Sequence, residues 1–301
     1  MKKISIFLLS LILVIGTSSA QTKKATTKPT TKPAAKTTTK APVHTVVKQP
    51  KKEKEQRVEI TTEFGTMIVK LYNETPKHRD NFIKLVNEKF YDSLLFHRVI
   101  KSFMIQGGDP TSKYADSTAA LGSGDIGYRI PAEINQYLYH KKGALAAARD
   151  NNPEKASSGC QFYIVHGKTF TTQELEHILN SRNLNNKQTI LYACYQTDSV
   201  QKAVSSLQQS GDKEALRRYM ENLQKVVDAR YAEEYPKAFE VNLDHMGEYV
   251  NLGGAPHLDG SYTVFGEVEL GLEVIDKIAN QPTMPGDRPI SNIRMKMRLL
   301  K

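Results

Sequence analysis

Three polar side chains interrupt apolar runs that otherwise read as buried strands. Arg98 and Gln106 lie in LLFHRVIKSFMIQGGDP, Leu94–Pro110, and Gln161 lies in CQFYIV, 160–165. A guanidinium keeps its charge and offers only donors, so Arg98 must either meet a carboxylate or line a cleft. In CQFYIV the period of two puts Gln161 and Tyr163 on one face of the strand and Phe162 and Ile164 on the other. If the two strands meet, Arg98 stands beside a surface that is polar and aromatic at once, with hydrogen-bond donors but no nucleophile.

Other chemistries lack their residues. Gly122-Ser-Gly-Asp-Ile-Gly127 has the spacing of a dinucleotide loop, yet it runs into YRIPAEI, where Pro131 forbids the helix such a loop must open. The eight His include no H-E-x-x-H pair, and Cys160 and Cys194 lack zinc spacing. Glu174 and His177 are three apart on a helix face, but a carboxylate-bridged metal centre needs a second such pair. No serine sits in a nucleophile elbow. Neither a metal nor a cofactor is expected.

The elements that must position these residues are short. EFGTMIVKLY (63–72) alternates as a strand, and ETPKHRDNFIKLVNEKFYD follows as a helix with Thr75 as N-cap and Pro76 in its first position. Phe82, Leu85, Val86 and Lys89 mark the inner and flanking face of that helix. Next come the strand at 94, a Gly-rich loop from Gly107 to Gly127, the short strand YRIPAEI, the segment KKGALAAAR and the strand CQFYIVHG. YTVFGEV, the helix GLEVIDKIAN and the strand IRMKMRLL close the chain. Many strands and few helices, without βαβ alternation, predict an all-β barrel capped by two helices. The block 171–255 differs: Thr171-Thr172-Gln173-Glu174 is a capping-box pattern, and Leu216, Tyr219, Met220, Leu223 and Val226 recur at helical spacing, so it reads as an α-helical insertion.

The chain of 301 residues has room for one large domain or two small ones. Lys2 and Lys3, the apolar run Ile4 to Ile15 and then Ser18-Ser19-Ala20 have the layout of a secretory signal peptide, residues 1–20, cleaved after Ala20. The apolar run is shorter than the ~20 residues that span a bilayer, so the membrane is expected as a partner only through an uncleaved signal. Residues 21–56 are Lys, Thr, Pro and Ala with little to bury, a disordered tether ahead of a folded domain at 57–301. Residues 1–57 hold 13 of the 42 Lys and Arg and 2 of the 32 Asp and Glu, which leaves 29 basic against 30 acidic residues in 58–301. The net charge of +10 thus belongs to the tail, and a near-neutral domain argues against nucleic acid as a partner. Cys160 in an apolar strand and Cys194 in a helical segment are expected to stay unpaired.

FHRVIKSFMIQGGDP, together with CQFYIV and HLDGSYTVFGEV, closely resembles the cyclophilin family of peptidyl-prolyl cis-trans isomerases, from about Glu63 to Leu300 with the block 171–255 excepted. The resemblance implies a closed eight-stranded antiparallel barrel with a helix over each end. It implies that Arg98 is the catalytic side chain, that Phe103, Met104, Tyr163 and Leu258 form an apolar proline pocket, and that Gln106 and Gln161 contact the substrate backbone. Ala146 and Ala147 match the segment beside which the bound peptide runs. Three positions depart from the best-known pattern: His257 stands where many members have Trp, Tyr163 where the pocket has Phe, and Tyr262 where many have His. The Tyr163 phenol must find a partner or water at the pocket floor.

The implied reaction is rotation about an X-Pro bond, whose barrier of ~18–20 kcal/mol comes from conjugation of the nitrogen lone pair with the carbonyl. A guanidinium near the prolyl nitrogen can bond to that lone pair as the amide twists, while an apolar pocket grips the ring. The partners implied are unfolded or partly folded proline-containing polypeptides, met by a monomer in the periplasm or another secreted location. The alternative is a client-binding module with little turnover, in which the insertion holds the partner.

Overall fold

The computed structural model describes residues 54–234 and 243–301; the segment read as a signal peptide and nearly all of the tether lie outside the described residues. The described chain begins with a hairpin. In β1 (Arg57–Thr62) Val58, Ile60 and Thr62 are buried, and in β2 (Gly65–Leu71) Met67, Val69 and Leu71 are, the alternation of strands with one covered face. The single strand expected at 63–72 is thus corrected. Glu63 and Phe64 make a turn, in which the Thr62 hydroxyl accepts from Phe64 N–H and donates to the Gly65 carbonyl. Gly65 turns the chain at φ 133°, where a side chain would be strained.

Helix α1 (Pro76–Asn87) buries His78, Phe82, Leu85 and Val86. Its N-terminus is capped differently from the sequence expectation. Thr75 occupies the N-cap, but its hydroxyl makes no capping bond; instead the Glu133 carboxylate accepts from Lys77 N–H at 3.1 Å and His78 N–H at 3.0 Å. A carboxylate 55 residues away therefore satisfies the open amides of the first turn.

The run from Leu94 folds back on itself as β3 (Phe96–Ile100) and β4 (Met104–Gly107), with Ser102 at φ 63° in the turn. YRIPAEI shrinks to β5 (Arg129–Ile130), paired with β7 (Ser157–Ser158), because Pro131 has no N–H to extend the ladder. The remaining strands are β6 (Ala144–Ala147), β8 (Phe162–Val165), β9 (Val264–Leu270) and β10 (Lys296–Leu300). Eight of the strands form one antiparallel sheet in the order β10-β1-β2-β9-β6-β8-β4-β3.

The sheet curves into a half-barrel, with register shifts at Ile68/Val69, Phe96/Arg98 and Leu145/Ala146. The expected closed barrel is corrected on this point. Its edge strands β3 and β10 share no ladder among the described residues; the segments that lead into them meet at the isolated bridge Leu95–Arg294 and through three backbone bonds, Ser93 N–H to Met295, Met295 N–H to Leu94 and Phe96 N–H to Ile293, each 2.9 Å. One face of the sheet, with α1 and α6 (Leu272–Ala279), encloses the main core, in which Phe82 packs against Tyr91, Phe162 and Phe265 at 5.1, 5.6 and 5.4 Å between ring centres.

Between β8 and β9 lie α2 (Thr172–Tyr195), α3 (Asp198–Ser210), α4 (Lys213–Glu234) and α5 (Leu243–Asn251). Thr171 and Glu174 form the capping box their spacing predicts. Ile190, Cys194, Leu223 and Val227 make a separate small core. Val226 is 50% exposed, so Val227, one full i, i+4 step from Leu223, takes the inward place expected for its neighbour. Cys160 and Cys194 are both buried and unpaired.

Candidate active site

Strand register assembles the site. Arg98 on β3 lies opposite Gln106 on β4, Gln106 opposite Tyr163 on β8, Tyr163 opposite Ala146 on β6, and Ala146 opposite Val264 on β9. Directly opposed residues in an antiparallel sheet share a face, so one row of side chains crosses five strands. Tyr163, Ala146 and Val264 from that row join Met104, Val165 and Ala255 in a second apolar cluster, flanked by half-buried Phe103, Leu258 and Tyr262. The other set of CQFYIV, Phe162 and Ile164, faces the main core as the period of two predicts.

Arg98 resolves its alternatives by taking both. Its Nε donates to Asp287 at 3.3 Å and its Nη1 to the Gln106 side-chain oxygen at 3.4 Å, while the side chain stays 42% exposed. Gln106 in turn donates to Gln161 Oε1 at 3.0 Å, and Gln161 donates to the carbonyls of Gly122 and Gly124 at 3.0 and 2.8 Å. The amides of those two glycines donate to Asp109. Burial pushes the Asp109 carboxyl up, but its bonds from Thr111, Gly122 and Gly124 outweigh that and hold it below its ordinary range. The Gly-rich loop thus serves to brace Gln161.

Gln161 is 7% exposed, with its oxygen and its NH₂ group engaged in these bonds. Gln106 faces the open side. Ala146 and Ala147 are 0% and 4% exposed, and β6 is paired on both edges, to β8 and β9. Ala146 contributes its methyl to the pocket cluster and Ala147 contributes its own to the main core.

The pocket walls are aromatic. Phe103 and His257 have ring centres 5.4 Å apart, and Tyr163 meets Tyr262 edge-on at 5.9 Å. Burial pulls the His257 imidazole below its ordinary pKa, so it packs as a neutral ring. The Tyr163 hydroxyl finds its partner in His140 Nε2 at 2.9 Å. His140 and four further contributors escaped the sequence reading: Asp287, Asp259, Tyr249, and Arg149, whose guanidinium lies 4.6 Å over the Tyr262 ring. The Tyr163 phenol and the Arg98 guanidinium, each short of a partner, were the signals in the sequence that pointed toward any of them. Among the described residues no group of three or more His, Cys, Asp or Glu is placed to hold a metal ion.

A row of this kind, a half-exposed guanidinium braced by amides beside an aromatic pocket, suits binding of a small apolar ring and donation to an atom at its edge. The family model described as cyclophilin type peptidyl-prolyl cis-trans isomerase matches residues 57–221 and 245–298. A Staphylococcus aureus protein provisionally named a peptidyl-prolyl cis-trans isomerase is 29% identical over 249 residues, 81% of this chain and 93% of the relative. A Streptococcus pyogenes protein provisionally named a bifunctional phosphatase/peptidyl-prolyl cis-trans isomerase is 29% identical over 240 residues, 79% of this chain; this chain spans only 37% of that relative. A solved structure of a cyclophilin type isomerase from Cryptosporidium parvum aligns with 82% of this chain and 99% of its own, at 20% identity and a TM-score of 0.49. Because the family model covers well over half of the sequence, including seven strands of the half-barrel in full and the first three residues of β10, this chain belongs to the cyclophilin-type peptidyl-prolyl cis-trans isomerases.

Proposed function

We propose that this protein accelerates cis–trans isomerisation of X-Pro bonds in polypeptide chains, with Arg98 as the catalytic side chain. The observation that carries this reading is the in-register row Arg98–Gln106–Tyr163 ending in the apolar cluster. Phe103, Met104, Tyr163 and Leu258 hold the prolyl ring, and His257 and Tyr262 flank it. Gln106 steadies the substrate carbonyl. The Arg98 guanidinium donates to the prolyl nitrogen once twisting has released its lone pair, an interaction absent from the planar ground state. Asp287 and Gln106 hold the guanidinium in place without burying it, so its charge stays free to turn toward substrate.

The clients are exported polypeptides, supported by the charge layout of residues 1–20, and the enzyme works as a monomer outside the cytoplasm after cleavage at Ala20.

The test is refolding of a proline-limited protein with catalytic amounts of the chain, run beside a tetrapeptide isomerisation assay. Acceleration of both supports the reading. No acceleration of either, at concentrations where the chain is folded, refutes it; slowed refolding with no peptide turnover would identify a client-binding module instead.

A further inference from the structure

The Tyr163 hydroxyl begins a chain of hydrogen bonds that leaves the pocket and ends in the helical insertion. His140 Nε2 lies 2.9 Å from the Tyr163 hydroxyl, and His140 Nδ1 lies 2.8 Å from Asp259 Oδ1. The other carboxylate oxygen, Oδ2, accepts from the Tyr249 hydroxyl of α5 at 2.7 Å. Tyr163, His140 and Tyr249 are 5%, 0% and 3% exposed, so water does not compete along most of the chain.

A carboxylate can only accept, so His140 Nδ1 carries the proton that it shares with Asp259. In the tautomer that leaves Nε2 bare, Tyr163 donates to it. Its hydroxyl is thereby directed away from the prolyl pocket, and the ring presents its apolar face there, as a phenylalanine would. The ring is also tethered: rotation about its long axis leaves the hydroxyl in place, but any tilt breaks a buried bond.

Asp259 is held from the insertion twice. Besides Tyr249 on its side chain, Arg182 of α2 donates to its backbone carbonyl at 3.1 Å. Asp259 directly follows His257 and Leu258, so the insertion grips both the wall of the pocket and, through His140, its floor.

We propose that the insertion sets the shape of the proline pocket through Tyr249–Asp259–His140–Tyr163, making Tyr249 a positioning residue for turnover. This rests on the isomerase reading above. The Phe103–His257 and Tyr163–Tyr262 contacts then keep their spacing only while α5 is docked. The insertion is on this view part of the active-site scaffold, through two helices that never touch substrate.

The experiment is a double-mutant cycle on the full chain with Tyr249→Phe and Tyr163→Phe, read by kcat/KM on a tetrapeptide and by thermal midpoint. Tyr249→Phe is expected to lower kcat/KM roughly three- to tenfold, the scale of one buried hydrogen bond, in the parent background. In the Tyr163→Phe background its effect should shrink to roughly 1.5-fold or less, because the floor is no longer connected to it. An equal loss in both backgrounds, or none in the parent, overturns the coupling. The ¹⁵N shifts of the His140 ring give a readout that needs no turnover. A bare Nε2 whose shift moves in the same direction in Tyr249→Phe as in Tyr163→Phe supports the chain; a bare Nδ1, or an Nε2 shift unmoved by Tyr249→Phe, overturns it even if the isomerase reading fails.

Discussion

Replacement of Arg98 by Ala separates catalysis from stability more sharply than any other change. The Arg98 and Asp287 side chains are 42% and 44% exposed, with 3.3 Å between Nε and Oδ2. An ion pair that open contributes ~0.2–1 kcal/mol. The thermal midpoint should therefore fall by no more than about 4 °C in a domain of this size. The catalytic loss is larger. A hydrogen bond from a charged donor to a group that becomes basic only in the transition state amounts to ~1.5–3 kcal/mol. At ~1.4 kcal/mol per factor of ten, that lowers turnover roughly ten- to 150-fold. The deficit should lie in kcat, with KM little changed, since the planar ground state offers the guanidinium no lone pair. Arg98→Lys keeps the charge but loses the fork that reaches Asp287 and Gln106 together, and should fall between the two. Peptide isomerisation within twofold of the parent in Arg98→Ala, or a change confined to KM, would refute the mechanism.

Two further outcomes follow from buried groups outside the row. Glu133→Ala should destabilise the protein by about 1–3 kcal/mol in urea unfolding, because it strands the first-turn amides of α1, whereas Thr75→Ala, whose hydroxyl makes no capping bond, should cost clearly less; the reverse order would restore Thr75 as the cap. His97 is 3% exposed, and burial, aided by the charges of Arg98 and Arg288 against that of Asp109, lowers its pKa to about 4. The unfolded chain, with an imidazole pKa near ~6.5, binds the proton first, so this contribution is fully present above about pH 6.5 and is lost as pH falls toward 4, by up to ~1.4 kcal/mol per pH unit. His97→Phe should flatten the stability profile between those limits relative to the parent, and identical slopes would contradict the burial argument.

Much of the site was legible because strand alternation is a local property. The period of two assigned Tyr163 and Phe162 to opposite faces, and the two faces do join separate clusters. The helix at Pro76 and the capping box at Thr171 were legible for the same reason, since each depends on residues within one turn. Boundaries were less so. The strand Arg57–Thr62 was missed because only a tight two-residue turn separates it from the run read as one strand at 63–72, and Val226 was assigned inward where i, i+4 spacing from Leu223 selects Val227.

What the sequence determined by itself was which residues could do chemistry: a guanidinium in an apolar run has few other uses, and a lone phenol in an apolar pocket demands a partner. What only the tertiary structure decided was who those partners are. Asp287 reaches Arg98 across 189 positions, His140 reaches Tyr163 across 23, and Glu133 caps a helix 55 residues before it. The same holds for Gln161, whose amide donates to loop carbonyls 39 and 37 positions before it. Hydrogen bonds act over about 3 Å whatever the separation along the chain, so the residues that satisfy a buried polar group leave no periodic trace in the sequence, and only the packed sheet brings them together.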